Sequence, residues 1–97
     1  MEYLKVRWVH NDSEDPVLLL SELDTDRYEV RKIEIYADGR MGFATGDEES
    51  QGSVLSEKTI PPSATIAADP QFVVQALSAQ EFEQAWAAAR SGSRWQL

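Results

Sequence analysis

The spacing of apolar and polar residues divides the chain into short strand-like runs followed by one helix-like run. Residues 3–10 alternate, with Leu4, Val6 and Trp8 on one face and Lys5 and Arg7 on the other. That is the pattern of a half-buried strand. Residues 17–23 contain Val17, Leu18, Leu19 and Leu20 in succession, apolar on both faces. Such a run suits a central strand. Residues 28–44 read as two strands around Ala37-Asp38-Gly39. Asp24-Thr25-Asp26 forms the tight turn before them. Four strands joined by short turns predict an antiparallel meander.

Burial selects the register of the 28–44 hairpin. A two-residue loop at Asp38-Gly39 would place Tyr36 opposite Met41 and split the apolar residues over both faces. A three-residue loop, with Gly39 left-handed in a bulge, pairs Tyr36 with Arg40, Ile35 with Met41 and Ile33 with Phe43. The second register puts all four large apolar side chains on one face and is the one expected. Upstream, Tyr28 and Val30 are out of phase with Ile33 and Ile35. Either a bulge near Arg31-Lys32 or a strand start buried on both faces accounts for this.

Residues 45–52, TGDEESQG, contain no large apolar side chain and read as an exposed loop. Residues 54–60 are expected to form a short fifth strand at the sheet edge, stopped by Pro61-Pro62. Ser63 is expected to cap a helical turn through Ala68, and residues 72–77 to form an extended connection. The C-terminal helix carries the clearest signals. Ser78-Ala79-Gln80-Glu81 is a capping box, and Leu77 with Phe82 occupies the positions of a hydrophobic staple. Phe82, Ala85, Trp86 and Ala89 form one stripe, and Gly92 supplies the stop. The residues beyond it carry Trp95 and Leu97 and either dock or fray.

The expected fold is α+β: an antiparallel sheet of four to five strands with the 78–91 helix on one face, the 97 residues forming one domain and 90–97 a candidate flexible tail. Leu4, Val6, Trp8, Leu18, Leu20, Ile33, Ile35, Met41, Phe43, Phe82 and Trp86 are its expected core, with Tyr28 also inward.

Charge narrows the choice of partner. Seventeen acids against nine bases leave a formal charge of −8. This disfavours nucleic acid, which needs clustered Lys and Arg, and anionic membranes. It permits a basic protein partner, and it also serves plain solubility. No cysteine is present, so neither disulfides nor thiolate metal sites arise. Met1 leads into a charged strand without an apolar leader, and the expectation is a cytoplasmic protein. His10 is the sole histidine and reads as a strand-end residue making turn hydrogen bonds. No nucleophile elbow, phosphate loop or calcium loop occurs, so neither catalytic residues nor metal ligands nor a cofactor are expected.

The runs YLKVRWVHNDSEDPVLLLSELD, RYEVRKIEIYADGRMGFA, IPPSATIAADPQF and SAQEFEQAW together resemble a small bacterial domain, domain of unknown function 6881. The likeness covers Met1 to about Ala89. It implies a compact standalone protein and brings no activity or site residues with it. By analogy of class and not identity, small acidic standalone bacterial proteins of this kind are often immunity proteins. The expectation is therefore a non-catalytic protein-binding module, an immunity protein or inhibitor that neutralises a basic toxin. Its contact residues are expected to be Asp24, Asp26, Asp47, Glu48 and Glu49, clustered at one end of the sheet, with Tyr36 and Arg40 as an exposed aromatic–arginine pair. The alternative is a small-molecule binder or enzyme with its site between the sheet and the 45–52 loop.

Overall fold

The computed structural model describes residues 1–97. Five strands, β1 (Glu2–Trp8), β2 (Leu18–Leu23), β3 (Glu29–Ile35), β4 (Met41–Ala44) and β5 (Phe72–Gln75), form one antiparallel sheet in the order β4-β3-β2-β1-β5. Helix α1 (Ser63–Ala67) precedes β5, and α2 (Ala79–Arg90) follows it. The meander of β1 to β4 is as the turn signals predict. Strand β2, apolar on both faces, takes the central place.

The hairpin has the expected register. Ile33 pairs with Phe43 and Ile35 with Met41. The Tyr36 N–H donates to the Arg40 carbonyl at 2.9 Å, and Gly39 has φ of +88°. A side chain at Gly39 would also collide with the tail, because its Cβ would lie 2.6 Å from the Trp95 carbonyl oxygen. The phase slip upstream is a bulge at Val30: Glu22 pairs with Arg31, but Leu23 pairs with Glu29. Tyr28 lies before this bulge in the turn, and it is exposed rather than inward.

Two expectations along the connection need correction. Residues 54–60 form no strand; the fifth strand is β5, antiparallel to β1 with Val6 opposite Val74 and Trp8 opposite Phe72. Its FVVQ sequence is a short β-branched run that alternates between the two faces of the sheet. The 54–60 segment instead sends its polar groups to sheet side chains. Ser63 is the first helical residue, and the cap position belongs to Pro62, whose carbonyl accepts from Thr65 and Ile66.

The core is divided in two by the sheet. Leu18, Leu20, Ile33, Ile35 and Met41 meet Phe82, Ala85 and Ala89 of α2 on one side. Leu4, Val6 and Leu23 lie on the other, with Ile60, Ile66, Phe72 and Val74. Leu4 and Val6 are therefore buried as expected, but away from α2. Trp8 is half-buried beside Phe72. Phe43 and Trp86 are half-buried too, edge to face at 5.3 Å. The α2 capping box is formed: Ser78 Oγ accepts from the Glu81 N–H at 3.0 Å, and Gly92 has φ of +75°. The tail docks on the hairpin, where the Trp95 N–H donates to the Gly39 carbonyl at 2.8 Å.

Candidate functional site

The acidic residues divide between two turns at one end of the sheet. Asp24 and Asp26 lie between β2 and β3, and Asp47, Glu48 and Glu49 lie just after β4. Pairing of Lys32 with Ala44 places the end of β4 three residues above the start of β3. The two turns are thus about 10 Å apart along the strands and one to two strand spacings apart across them. Together that is about 11–14 Å, more than the Debye length of about 8 Å at physiological salt, so the two fields are largely screened from each other.

The members of this group are not equivalent. Asp24 Oδ1 accepts from the Asp26 and Tyr28 N–H groups, at 2.9 and 3.0 Å, and so builds the turn. Glu48 accepts from Arg90 Nη1 at 2.8 Å, and this contact holds its carboxyl below the usual glutamate range. Asp26, Asp47 and Glu49 are exposed and have no cation within 4 Å. The 45–52 loop closes through a Thr45 N–H to Glu48 carbonyl bond of 2.8 Å and a Ser50 N–H to Phe43 carbonyl bond of 2.9 Å.

Tyr36 and Arg40 sit at the opposite end, beside the β3–β4 turn, and do not join the acids. Arg40 covers the Tyr36 ring at 4.5 Å. The ring is half-buried rather than exposed, and burial raises its phenol above the ordinary value. His10 lies at that end as well. Its Nδ1 accepts from the Asp12 N–H at 3.0 Å and its Nε2 meets the Pro16 carbonyl at 2.8 Å, so both ring nitrogens serve the β1–β2 turn.

The space between the sheet and the 45–52 loop is tightly filled at Gly42. A Cβ there would stand 2.5 Å from Ser53 Oγ and 3.0 Å from the Ser50 carbonyl oxygen. Beside the loop remains a cavity of about 130 Å³ between Arg40, Gln51 and Arg94.

A larger opening was not foreseen from the sequence. A cleft of about 540 Å³ lies over β1, bounded by the β5 edge and the C-terminal tail. Lys5, Arg7, His10, Gln75 and Gln96 supply its polar groups, and Leu18, Trp95 and Leu97 part of its apolar wall. The signal was the polar face of β1. Lys5 and Arg7 read as solvent-facing, yet they pair across from Leu20 and Leu18 and share the face that α2 packs on.

Also unforeseen is the arginine under α2. Arg31 makes paired bonds to Glu22, with Nε to Oε1 at 2.7 Å and Nη2 to Oε2 at 2.9 Å, and to Glu83, with Nη1 to Oε1 at 2.7 Å. Its guanidinium lies 4.9 Å from the Phe82 ring centre and 5.0 Å from that of Trp86. Tyr3 donates to Glu22 at 2.8 Å. Its donors and acceptors are spent mainly on one another, with the Glu83 carboxylate half-exposed at the rim, so it joins sheet to helix. No sequence pattern marks it, because Glu22, Arg31 and Glu83 are brought together only by strand pairing and helix docking.

These elements define a small α+β protein: an open antiparallel sheet with one long helix on one face and an irregular segment on the other. The chain belongs to the family described as a domain of unknown function, DUF6881, which it matches over residues 2–91. No curated protein and no solved structure matches it. No helix is long and apolar enough to cross a membrane.

Proposed function

We propose that the chain is a non-catalytic protein-binding module that takes a basic protein partner at its acid-rich end. An immunity protein that neutralises a basic toxin in the bacterial cytoplasm is the form this reading takes. The observation that supports it is the distribution of ion pairs. Arg27, Arg31, Lys32, Arg90 and Arg94 are engaged with Glu2, Glu22, Glu29, Glu48 and Asp38, whereas Asp26, Asp47 and Glu49 at this end stand exposed without a cation, as do Asp12, Glu14 and Glu57 elsewhere. Unpaired surface carboxylates accelerate encounter with a positive surface, and salt weakens the effect.

The test is the charge-neutral variant with Asp24, Asp26 and Asp47 changed to Asn and Glu48 and Glu49 changed to Gln. A partner captured by the wild-type chain should associate with it about tenfold more slowly at low salt, with a flatter salt dependence. Unchanged association and an unchanged salt slope would overturn the assignment.

A further inference from the structure

We propose that the cleft over β1 binds a small amphipathic carboxylate, with Arg7 as the anion-binding residue. The inference is independent of the acidic end and of any protein partner. It begins with where α2 runs. The helix starts beside β1, where Glu81 lies 3.9 Å from Lys5 and Phe82 lies against Tyr3. It then crosses toward β4, where Trp86 and Arg90 reach Phe43. The corner of the sheet formed by the later part of β1 and by β5 is left without a helix above it. The tail returns over the sheet beyond Gly39 and raises Trp95 and Leu97 as the far wall.

The charge in this corner is unlike that of the rest of the chain. None of the residues lining the cleft is Asp or Glu, in a chain with 17 acids among 97 residues. Lys5 has only the long contact to Glu81. Arg7 has no carboxylate within 4 Å, donates no side-chain hydrogen bond and covers no aromatic ring, whereas Arg27, Arg31, Arg40, Arg90 and Arg94 are each engaged. A planar guanidinium with all its donors unspent is matched to a carboxylate in a two-bond fork.

The rest of the cleft selects the body of the ligand. Leu18 and Trp95 supply an apolar wall for an aliphatic or aromatic group, and the Gln75 amide can meet one polar substituent. A volume of about 540 Å³ falls within the range of small-molecule sites. The net charge of −8 disfavours a polyanion, which would feel the whole negative field, more than a single carboxylate held by the local pair.

4-Phenylbutyrate is a suitable probe, followed by amide chemical shifts and by calorimetry. Saturable binding is expected, with shifts at Arg7, Leu18 and Trp95. The neutral 4-phenylbutyramide, and inorganic phosphate with no apolar body, should each bind at least about tenfold more weakly. Arg7→Gln should weaken 4-phenylbutyrate binding by about tenfold, and Arg7→Lys by less, at unchanged melting temperature. The proposal is overturned by any one of three results: no saturable shift up to about 10 mM, equal affinity for acid and amide, or undiminished binding to Arg7→Gln.

Discussion

The two faces of the sheet are covered in different ways, and their side chains differ accordingly. Under α2 the sheet presents Leu18, Leu20, Ile33, Ile35 and Met41. A helix satisfies its own backbone groups along its length, so this face has no backbone to answer, and its one buried polar group, Arg31 with Glu22 and Glu83, bonds side chain to side chain. The other face is covered by residues 53–62 and α1. An irregular segment has backbone groups left over, and the sheet must answer them. It does so with polar side chains. Glu29 accepts from the Ser56 N–H at 2.7 Å and from Ser21 Oγ at 2.9 Å. Glu34 accepts from Ser53 Oγ at 2.6 Å, and Lys32 donates to the Val54 carbonyl at 3.0 Å. Arg27, held at φ of +67°, donates to the Ile60 and Pro61 carbonyls at 2.9 and 2.7 Å. The alternation along β3, apolar at Ile33 and Ile35 and charged at Lys32 and Glu34, therefore does not divide core from solvent. It divides a helix-covered face from a loop-covered one.

The largest effect expected of this contrast is on the helix side. Phe82 is fully buried, and Phe82→Ala should cost about 3–5 kcal/mol in denaturant unfolding. Trp86→Ala should cost less, because the ring is half-buried. Ile66→Ala, the corresponding truncation under the loop side, should cost about 1 kcal/mol, since Ile66 is only partly buried there. Equal losses at Phe82 and Ile66 would show that the faces contribute alike.

On the loop face the sensitive positions should be polar. Glu29→Ala leaves the Ser56 N–H and the Ser21 hydroxyl without an acceptor and Lys32 without its 3.2 Å partner, and should cost about 2–4 kcal/mol. Hydrogen exchange at Ser56 should rise in the same variant. Gly42→Ala should come next, at about 1–3 kcal/mol, because the methyl group must displace Ser53 and the Ser50 carbonyl. A neutral Gly42→Ala would mean that residues 50–53 are not held against β4.

Acid should act on the helix face through Glu22. Arg31 hydrogen bonds chiefly, with help from Tyr3, hold its carboxyl below the ordinary glutamate value. A carboxylate with a depressed folded-state pKa contributes its stabilisation fully above its unfolded value, about 4.3, and loses it as pH falls through the folded value. Denaturant midpoints of the wild type should therefore fall more steeply below about pH 4 than those of Glu22→Gln. The smallest effect should be at the rim. Glu48→Gln removes an exposed pair with Arg90 and should leave the denaturant midpoint nearly unchanged.

Much of the fold was legible in local order. The 28–44 register followed from asking which pairing gathers Ile33, Ile35, Met41 and Phe43 on one face, and α2 from its capping box and stripe. The edge strand was not, because 54–60 and 72–77 are both short and mixed in character. Only the latter finds a partner in β1, while Pro61-Pro62 and the demands of Glu29 and Lys32 keep the former irregular. The acid-rich turns could be placed at one end from strand alternation alone. The contact of Arg40 with Tyr36 was legible too, since the three-residue loop pairs them. The cleft over Arg7 was not, because it depends on where the tail and α2 come to rest.

The sequence by itself determined the four strands of the meander and the C-terminal helix, how the hairpin registers and where that helix begins and stops. These are contests between near neighbours, decided by periodicity, caps and one left-handed glycine. Tertiary structure alone decided that Lys5 and Arg7 share the face of α2, that Arg31 joins Glu22 to Glu83, and that Trp95 folds back onto Gly39. Each of these joins groups far apart in the chain, and their meeting follows from the direction in which one packed element crosses another. No local spacing encodes that direction, because it is set by how the apolar stripe of Phe82, Ala85 and Ala89 fits the ridge of Ile33, Ile35 and Met41.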